Sequence, residues 1–341
     1  MRRTTKSSPR NFPRAGSGSR KPSPAKELSV SIIGAGRLGT ALGRALKAAG
    51  YKIEVIAAQR ASAKRRAAKT FGPQTLALSA RELSRLSPSQ RDRLNLCSLV
   101  FIATPDDVIA PVARQLSQIF LPRANKRAGN PRRVVLHTSG ALAADVLDPM
   151  RAMGFAAGSL HPLVSISESR SGSKLLARAF FSVEGDRAAI ILARSIVSDL
   201  GGESFTIDSD RKALYHAAAL TASPNMTALF EIAVDMLGVC GLSPGRARRI
   251  LLPLVDSTVA NLATQDPARA LTGTFQRGDA ATVQKHIVAL RAANLPQALA
   301  AYLVLGERSI AMAKSRSTNP AGFDRVSEIL SLADKDRPGR R

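Results

Sequence analysis

The stretch Ser29-Val-Ser-Ile-Ile33-Gly34-Ala35-Gly36-Arg37-Leu38-Gly39 decides how the rest of the chain is read. An apolar run of strand character enters a Gly-x-Gly-x-x-Gly loop, and helical periodicity follows from Thr40 to the stop at Gly50. Such a loop is weak evidence alone, but between a strand and a helix each glycine has a physical use. Gly34 permits the tight turn, Gly36 lets the backbone approach a pyrophosphate, and Gly39 allows close packing of helix on strand. Arg37 and Leu38 then lie at a helix N-terminus that faces the anion.

Outward from this loop, short apolar runs alternate with helical segments, the pattern of a parallel sheet flanked by helices. Strands are expected at residues 53–58, 99–103, 134–138, 156–160, 179–184 and 204–207, with a helix at 186–200. After Asp208 no strand-like run recurs. Residues 212–239, 244–263, 279–293 and 295–314 carry helical periodicity rich in Ala and Leu. The expected fold is α/β: a doubly wound, mostly parallel Rossmann sheet over residues 28–208, followed by an all-helical domain over 209–314. Residues 1–27 read as a disordered basic tail, and 315–341 as a polar tail around a short helix at 326–332. No internal repeat is evident.

The chain of 341 residues carries 50 Lys and Arg against 25 Asp and Glu, a net charge of +25. That sum invites a nucleic-acid or membrane-surface reading. Its distribution argues otherwise: residues 1–27 hold eight basic residues and one acidic, and the remaining +18 is spread, with clusters at 81–93 and 122–133 read as surface loops. Aromatic residues make up 4% and Trp is absent, which leaves little for base stacking. Cys97 and Cys240 stand far apart without metal-ligand spacing, so no disulfide framework or metal site is expected. No apolar run approaches a membrane span, and a cytoplasmic protein without specific nucleic-acid or membrane partners is the expectation. A basic, Ser-rich transit peptide is the alternative for residues 1–27.

NAD sites place an acidic residue at the tip of the second strand to hold the ribose hydroxyls. Here the tip reads Gln59-Arg60-Ala-Ser62-Ala-Lys64, with Glu54 inside the strand. A guanidinium, a hydroxyl and an ammonium suit a 2′-phosphate, so Arg60, Ser62 and Lys64 favour NADP over NAD; the alternative is a solvated helix start. Thr104-Pro105-Asp106 closes a later strand at the edge where nicotinamide and ribose would lie. His137-Thr-Ser139-Gly140 ends the next, and Ser139 and the Gly140 backbone could reach a substrate carbonyl.

Lys212, His216 and Ser223 recur at spacings of four and seven, one stripe of a helix. An ammonium beside an imidazole can polarise a carbonyl or imine and exchange a proton, so Lys212, His216 and Ser139 are the candidate catalytic residues. A polar stripe at a domain interface is the competing reading. Further substrate contacts are expected from Gly140, from His161 in the His-Pro pair after a strand, for which a turn histidine is the alternative, from Ser223, from Asn225, and from Arg277, which could clamp a carboxylate. Asp279 reads as the cap of the helix that follows, and His286 as interior.

The motifs IIGAGRLGTALGRAL, HTSGAL, SLHPL, KALYHAAA with the later Asn225, and ALTGTFQRGDAATVQKH together resemble a family of bacterial Rossmann-like oxidoreductases whose helical C-terminal domain is of unknown function. The resemblance runs from Leu28 to Lys314. It implies NADP-linked oxidoreductase chemistry on a small-molecule substrate and a homodimer formed through the helical domain. More distantly the chain is similar to pyrroline-5-carboxylate reductase, ketopantoate reductase and β-hydroxyacid dehydrogenases. In several of these a helical Lys is followed four residues later by Asn; Lys212 matches the Lys, and His216 stands in place of the Asn. The His-Pro pair is also similar to that of prephenate dehydrogenases. A non-catalytic NADP-binding regulator is the alternative function.

Overall fold

The computed structural model describes residues 28–122, 133–316 and 321–335. The expected tail at 1–27 and most of the expected loop at 122–133 lie outside them. The chain divides into two compact units, one ending at Ala219 and one beginning at Leu220.

The first unit is built on strands β1 (Ser29–Ile33), β2 (Lys52–Ala58), β3 (Leu76–Ser79), β4 (Leu99–Ile102), β5 (Val134–His137), β6 (Ala156–Leu163), β7 (Phe180–Gly185) and β8 (Glu203–Thr206). They form one sheet in the order β3-β2-β1-β4-β5-β6-β7-β8, parallel throughout except for the β6–β7 pair. Its helices are α1 (Arg37–Ala48), α2 (Ala61–Phe71), α3 (Ala80–Leu83), α4 (Pro88–Leu96), α5 (Asp106–Ile119), α6 (Asp148–Arg151), α7 (Ser169–Leu176), α8 (Arg187–Leu200) and the start of α9 (Lys212–Ala222). The second unit contains α10 (Pro224–Val239), α11 (Pro244–Leu262), α12 (Pro267–Ala270), α13 (Ala280–Ala292), α14 (Pro296–Lys314) and α15 (Ala321–Lys335).

The sheet is covered on both faces, as a parallel sheet requires. Val30, Ile32, Phe101 and Leu136 point into one apolar cluster with α1 and α8, whereas Ile33, Val100, Ile102 and Val135 point into another with α5. Alternation along each strand therefore feeds two cores. Strand order reverses between β1 and β4, and the carboxyl ends on either side of that switch point form the crevice where ligands of such sheets bind.

Several sequence expectations shift. Residues 81–93, expected as a loop, lie largely in α3 and α4, and each of these starts with a capping box: Ser79 with Glu82, and Ser87 with Gln90. Strand β3 and helix α7 were not anticipated. His161-Pro162 lies within β6, paired with Ser182 and Phe181, rather than after the strand. The helical run 212–239 breaks at Ser223 (φ −128°, ψ −74°), just before Pro224, whose ring cannot continue a helix. The expected polar tail contains the 15-residue helix α15, which buries Phe323, Val326, Leu330 and Ala333 against α13 and α14. Its apolar residues recur at helical spacing but are diluted by charge, which hid them. None of the described helices is long and apolar enough to cross a membrane.

Candidate functional site

The glycine loop is strapped to the sheet: the Gly34 and Ala35 N–H groups both donate to the Ala57 carbonyl of β2, at 2.8 and 2.9 Å. Gly34 has φ +116°, and a Cβ there would stand 2.4 Å from the Ala103 carbonyl oxygen. A Cβ on Gly39 would stand 1.9 Å from the Gly34 carbonyl oxygen. Gly36 differs: a Cβ would meet nothing within 4 Å. Two glycines are thus demanded by the protein's own packing, whereas the third faces open space in front of α1. That helix begins at Arg37, three residues earlier than expected, so the N–H groups of its first turn point into the same space. Beside it the Thr104 hydroxyl is buried without a hydrogen-bond partner. A cradle with a bare backbone wall and an orphaned hydroxyl fits a dinucleotide, and Gly34, Gly36, Arg37, Leu38 and Gly39 are the residues that would hold it.

At the β2 tip, Arg60 precedes α2 in extended conformation, and both it and Ser62 are exposed. Lys64 is not free: it pairs with Glu82 at 2.5 Å, and this ion pair with the Ser79 bonds holds the Glu82 carboxyl down to about 2. Glu54 is buried and already paired with Arg93 and Lys52.

The second cluster forms at the carboxyl ends of β5 and β6. Lys212 is completely buried, and its Nζ donates to Ser159 Oγ at 2.7 Å and to the Ser139 carbonyl at 3.5 Å. Burial lowers its pKa, opposed by the negative charges of Glu184 and Asp106. Glu184 in turn is pushed up by burial, while Lys212 and the Ala144 N–H hold it back. Four residues along α9, His216 places Nδ1 against Gly140, where a Cβ would stand 2.4 Å from it; that nitrogen is buried without a partner. His161 packs edge-on against His216, with ring centroids 5.5 Å apart, and its Nδ1 shares a hydrogen bond of 2.8 Å with the Tyr215 hydroxyl. Burial, then the His216 and Lys212 charges, lowers the His161 pKa to about 4.

The structure therefore brings Lys212, His216, His161, Gly140 and Ser139 together. It also sorts them. The Ser139 hydroxyl donates to Asp106 at 2.8 Å and accepts from the Ala141 and Leu142 N–H groups, so it builds the turn after β5. His137 is buried with Nε2 against the Ala143 carbonyl and Nδ1 accepting from the Ser139 N–H; burial and Lys212 lower its pKa to about 3. Pro105 precedes α5 as its cap residue, and Asp106 begins the helix. Of the residues in the second unit, Ser223 is the cap residue of α10, and Asn225 and Arg277 are exposed. Asp279 caps α13 as expected, by accepting from the Thr282 N–H, but His286 is exposed rather than interior. Sequence reasoning passed over Tyr215, Ser159 and Glu184. Tyr215 sits between Lys212 and His216 in the same motif, and Ser159 two residues before His161, so adjacency was the available signal.

A doubly wound sheet with this loop, joined to a helical unit, defines a dinucleotide-binding-type Rossmann architecture. Residues 15–162 match the family described as Rossmann-like domain, and residues 179–309 match DUF2520, a domain of unknown function. The chain thus carries a Rossmann-like domain followed by a DUF2520 domain, and the second match begins at the end of the sheet, so that β7, β8 and the Lys212 helix fall within it. No curated protein matches the sequence. Among solved structures, the chain is similar to a Bacteroides fragilis protein described as a putative NADP oxidoreductase: 18% identity, TM-score 0.62, covering 85% of this chain and 98% of that one. A Thermotoga maritima protein matches at 20% identity and TM-score 0.57, over 90% and 98%. The reductive aminase from Aspergillus terreus, solved with NADPH and ethyl levulinate, matches at 14% identity and TM-score 0.50, over 92% and 95%. At these identities the likeness is one of fold.

Proposed function

We propose that this chain is an NAD(P)-dependent oxidoreductase, with NADP favoured, acting on a small carboxylate-bearing carbonyl, imine or alcohol. The observation that carries the reading is the open wall at Gly36 beside the orphaned Thr104 hydroxyl, in the same compact unit as a buried ammonium and two imidazoles. The descriptions of the similar Bacteroides and Aspergillus proteins support it. When bound, the nicotinamide would give or take the hydride. The chain's own residues handle the proton: as an alcohol or amine is oxidised, a neutral imidazole accepts the proton it releases, and the same group returns it in reduction. His161, held by Tyr215 and neutral above about pH 4, suits that task, with His216 beside it. Lys212 is sealed from solvent, so it acts as a positioning residue: its charge adds to the burial that keeps His137 and His161 neutral, and its bonds join β5 to β6. Ser139 orders the turn that carries Gly140.

Arg60 and Ser62 are the proposed 2′-phosphate ligands. A homodimer through the helical unit is proposed on the apolar, exposed faces of α10 and α11, which include Met226, Leu229, Leu252 and Leu254.

The test is a titration with NADPH and NADH, followed by nicotinamide fluorescence, on wild type and Gly36→Asp. NADPH binding at micromolar Kd or tighter, lost in the variant, supports the reading. Binding of neither nucleotide overturns it. Tight binding with no turnover across imines, ketones and hydroxy acids would instead favour a cofactor-sensing regulator.

A further inference from the structure

A cleft of about 660 Å³ runs from the glycine loop along the groove between α1 and α2. Arg37, Thr40 and Arg44 line it from one stripe of α1; Arg66, Lys69 and Thr70 line it from α2, and no carboxylate does. Among the described residues, none of these four cations is in an ion pair, although Lys64, Lys52 and Arg93 nearby all find a carboxylate. Arg44 is half-buried, and its Nε is shielded from solvent with no acceptor; only a long contact of 3.4 Å joins its guanidinium to the Thr70 hydroxyl. A guanidinium N–H shielded from water without an acceptor is costly, and an incoming oxyanion removes that cost.

Arg44 is seven residues beyond Arg37, two turns and about 10 Å further along the helix from the loop. We propose that the distal part of this cleft, framed by Arg44, Arg66, Lys69 and Thr70, binds a second phosphoryl group in addition to the dinucleotide. The ligand class is a compact phosphate-bearing anion of at least two charges. A planar guanidinium fork with flanking ammonium and hydroxyl donors matches the oxygens of such a group, and three converging cations discriminate against monovalent anions.

The experiment is calorimetric titration of the full chain with inorganic pyrophosphate at constant ionic strength, alone and with saturating NADH or NADPH. The expected result is a similar Kd in all three arms. Arg44→Gln combined with Lys69→Gln should weaken it at least tenfold and leave NADPH affinity unchanged. Arg248→Gln combined with Arg249→Gln, which removes the same charge from exposed positions of α11, should leave it unaltered. Competition by NADPH but not NADH would assign the cleft to the 2′-phosphate and overturn a second site. Absence of saturable binding, or equal weakening by both double variants, would also overturn it. Binding of pyrophosphate by a protein that binds neither nucleotide would leave this proposal standing while the proposed cofactor fails.

Discussion

The two compact units bury their apolar surface in different ways. In the first, every residue of β4 and β5 is buried and two clusters close the sheet from both sides. In the second, the core comes from α13, α14 and α15, whereas the 16-residue α10 and the 19-residue α11 each bury a single residue, Val234 and Ala247. The sheet unit is complete in itself and can hold a fully buried lysine. The helical unit leaves two apolar helix faces exposed, which in water favours their burial against another surface. Precise placement of polar chemistry belongs with the closed unit, and the proposed association with the open one.

The sharpest way to break this comparison lies in the glycine loop. Gly39→Ala forces a Cβ onto the Gly34 carbonyl and should cost about 3 kcal/mol or more, read as a fall in the urea midpoint or failure to fold. Gly36→Ala should leave the midpoint within about 0.5 kcal/mol of wild type yet weaken NADPH at least tenfold. If both lose stability equally, the open wall is not a ligand surface.

Lys212→Ala removes the buried stem and leaves Ser159 unpaired, with an expected loss of about 2–4 kcal/mol. Lys212→Met should restore most of that stability. Loss of the charge should also raise the His161 pKa, which moves the acid limb of the activity profile upward in Lys212→Met. An unshifted limb would remove the positioning role.

Acid supplies the next test. His137 and His161 are held near 3 and 4 against an ordinary value near 6.5. As pH falls through 6.5 the unfolded chain takes up protons on both, and the native state does so only near 4 and then 3. Stability should therefore decline between pH 6.5 and about 4, by at most about 1.4 kcal/mol per pH unit for each imidazole, less for the incompletely buried His161. Urea unfolding of His137→Gln should show a shallower decline than wild type; an identical slope would contradict the assignment.

The smallest effect on stability, within about 0.5 kcal/mol, is expected from Leu252→Glu on the exposed face of α11. Light scattering should nevertheless show a wild-type dimer become a monomer. A monomeric wild type would mean that α10 and α11 are covered by something other than a second copy.

The strand β1 and its loop were legible because their residue types are dictated locally: a β-branched run, then glycines at spacings that a turn and a close approach require. Strand β3 was not legible, since its pairing with β2 is a long-range fact. Helix α15 was legible only as its short stretch 326–332; its full length and its place in a core were not, because its apolar stripe matters only once α13 and α14 present a surface for it. In the site, the i, i+4 spacing of Lys212 and His216 was readable, but the expectation treated them as equals. Tertiary packing separates them, enclosing one against β6 and leaving the other with an unpaired nitrogen beside Gly140.

By itself, then, the sequence determined the sheet's alternation, the dinucleotide-type loop and the polar stripe of α9, because these rest on backbone geometry and periodicity within a few residues. Only the tertiary structure decided which hydroxyls and cations are already engaged: Ser139 by its turn, Lys64 by Glu82, and Lys212 by Ser159. Hydrogen-bond satisfaction and desolvation depend on neighbours distant along the chain, and no local pattern encodes them.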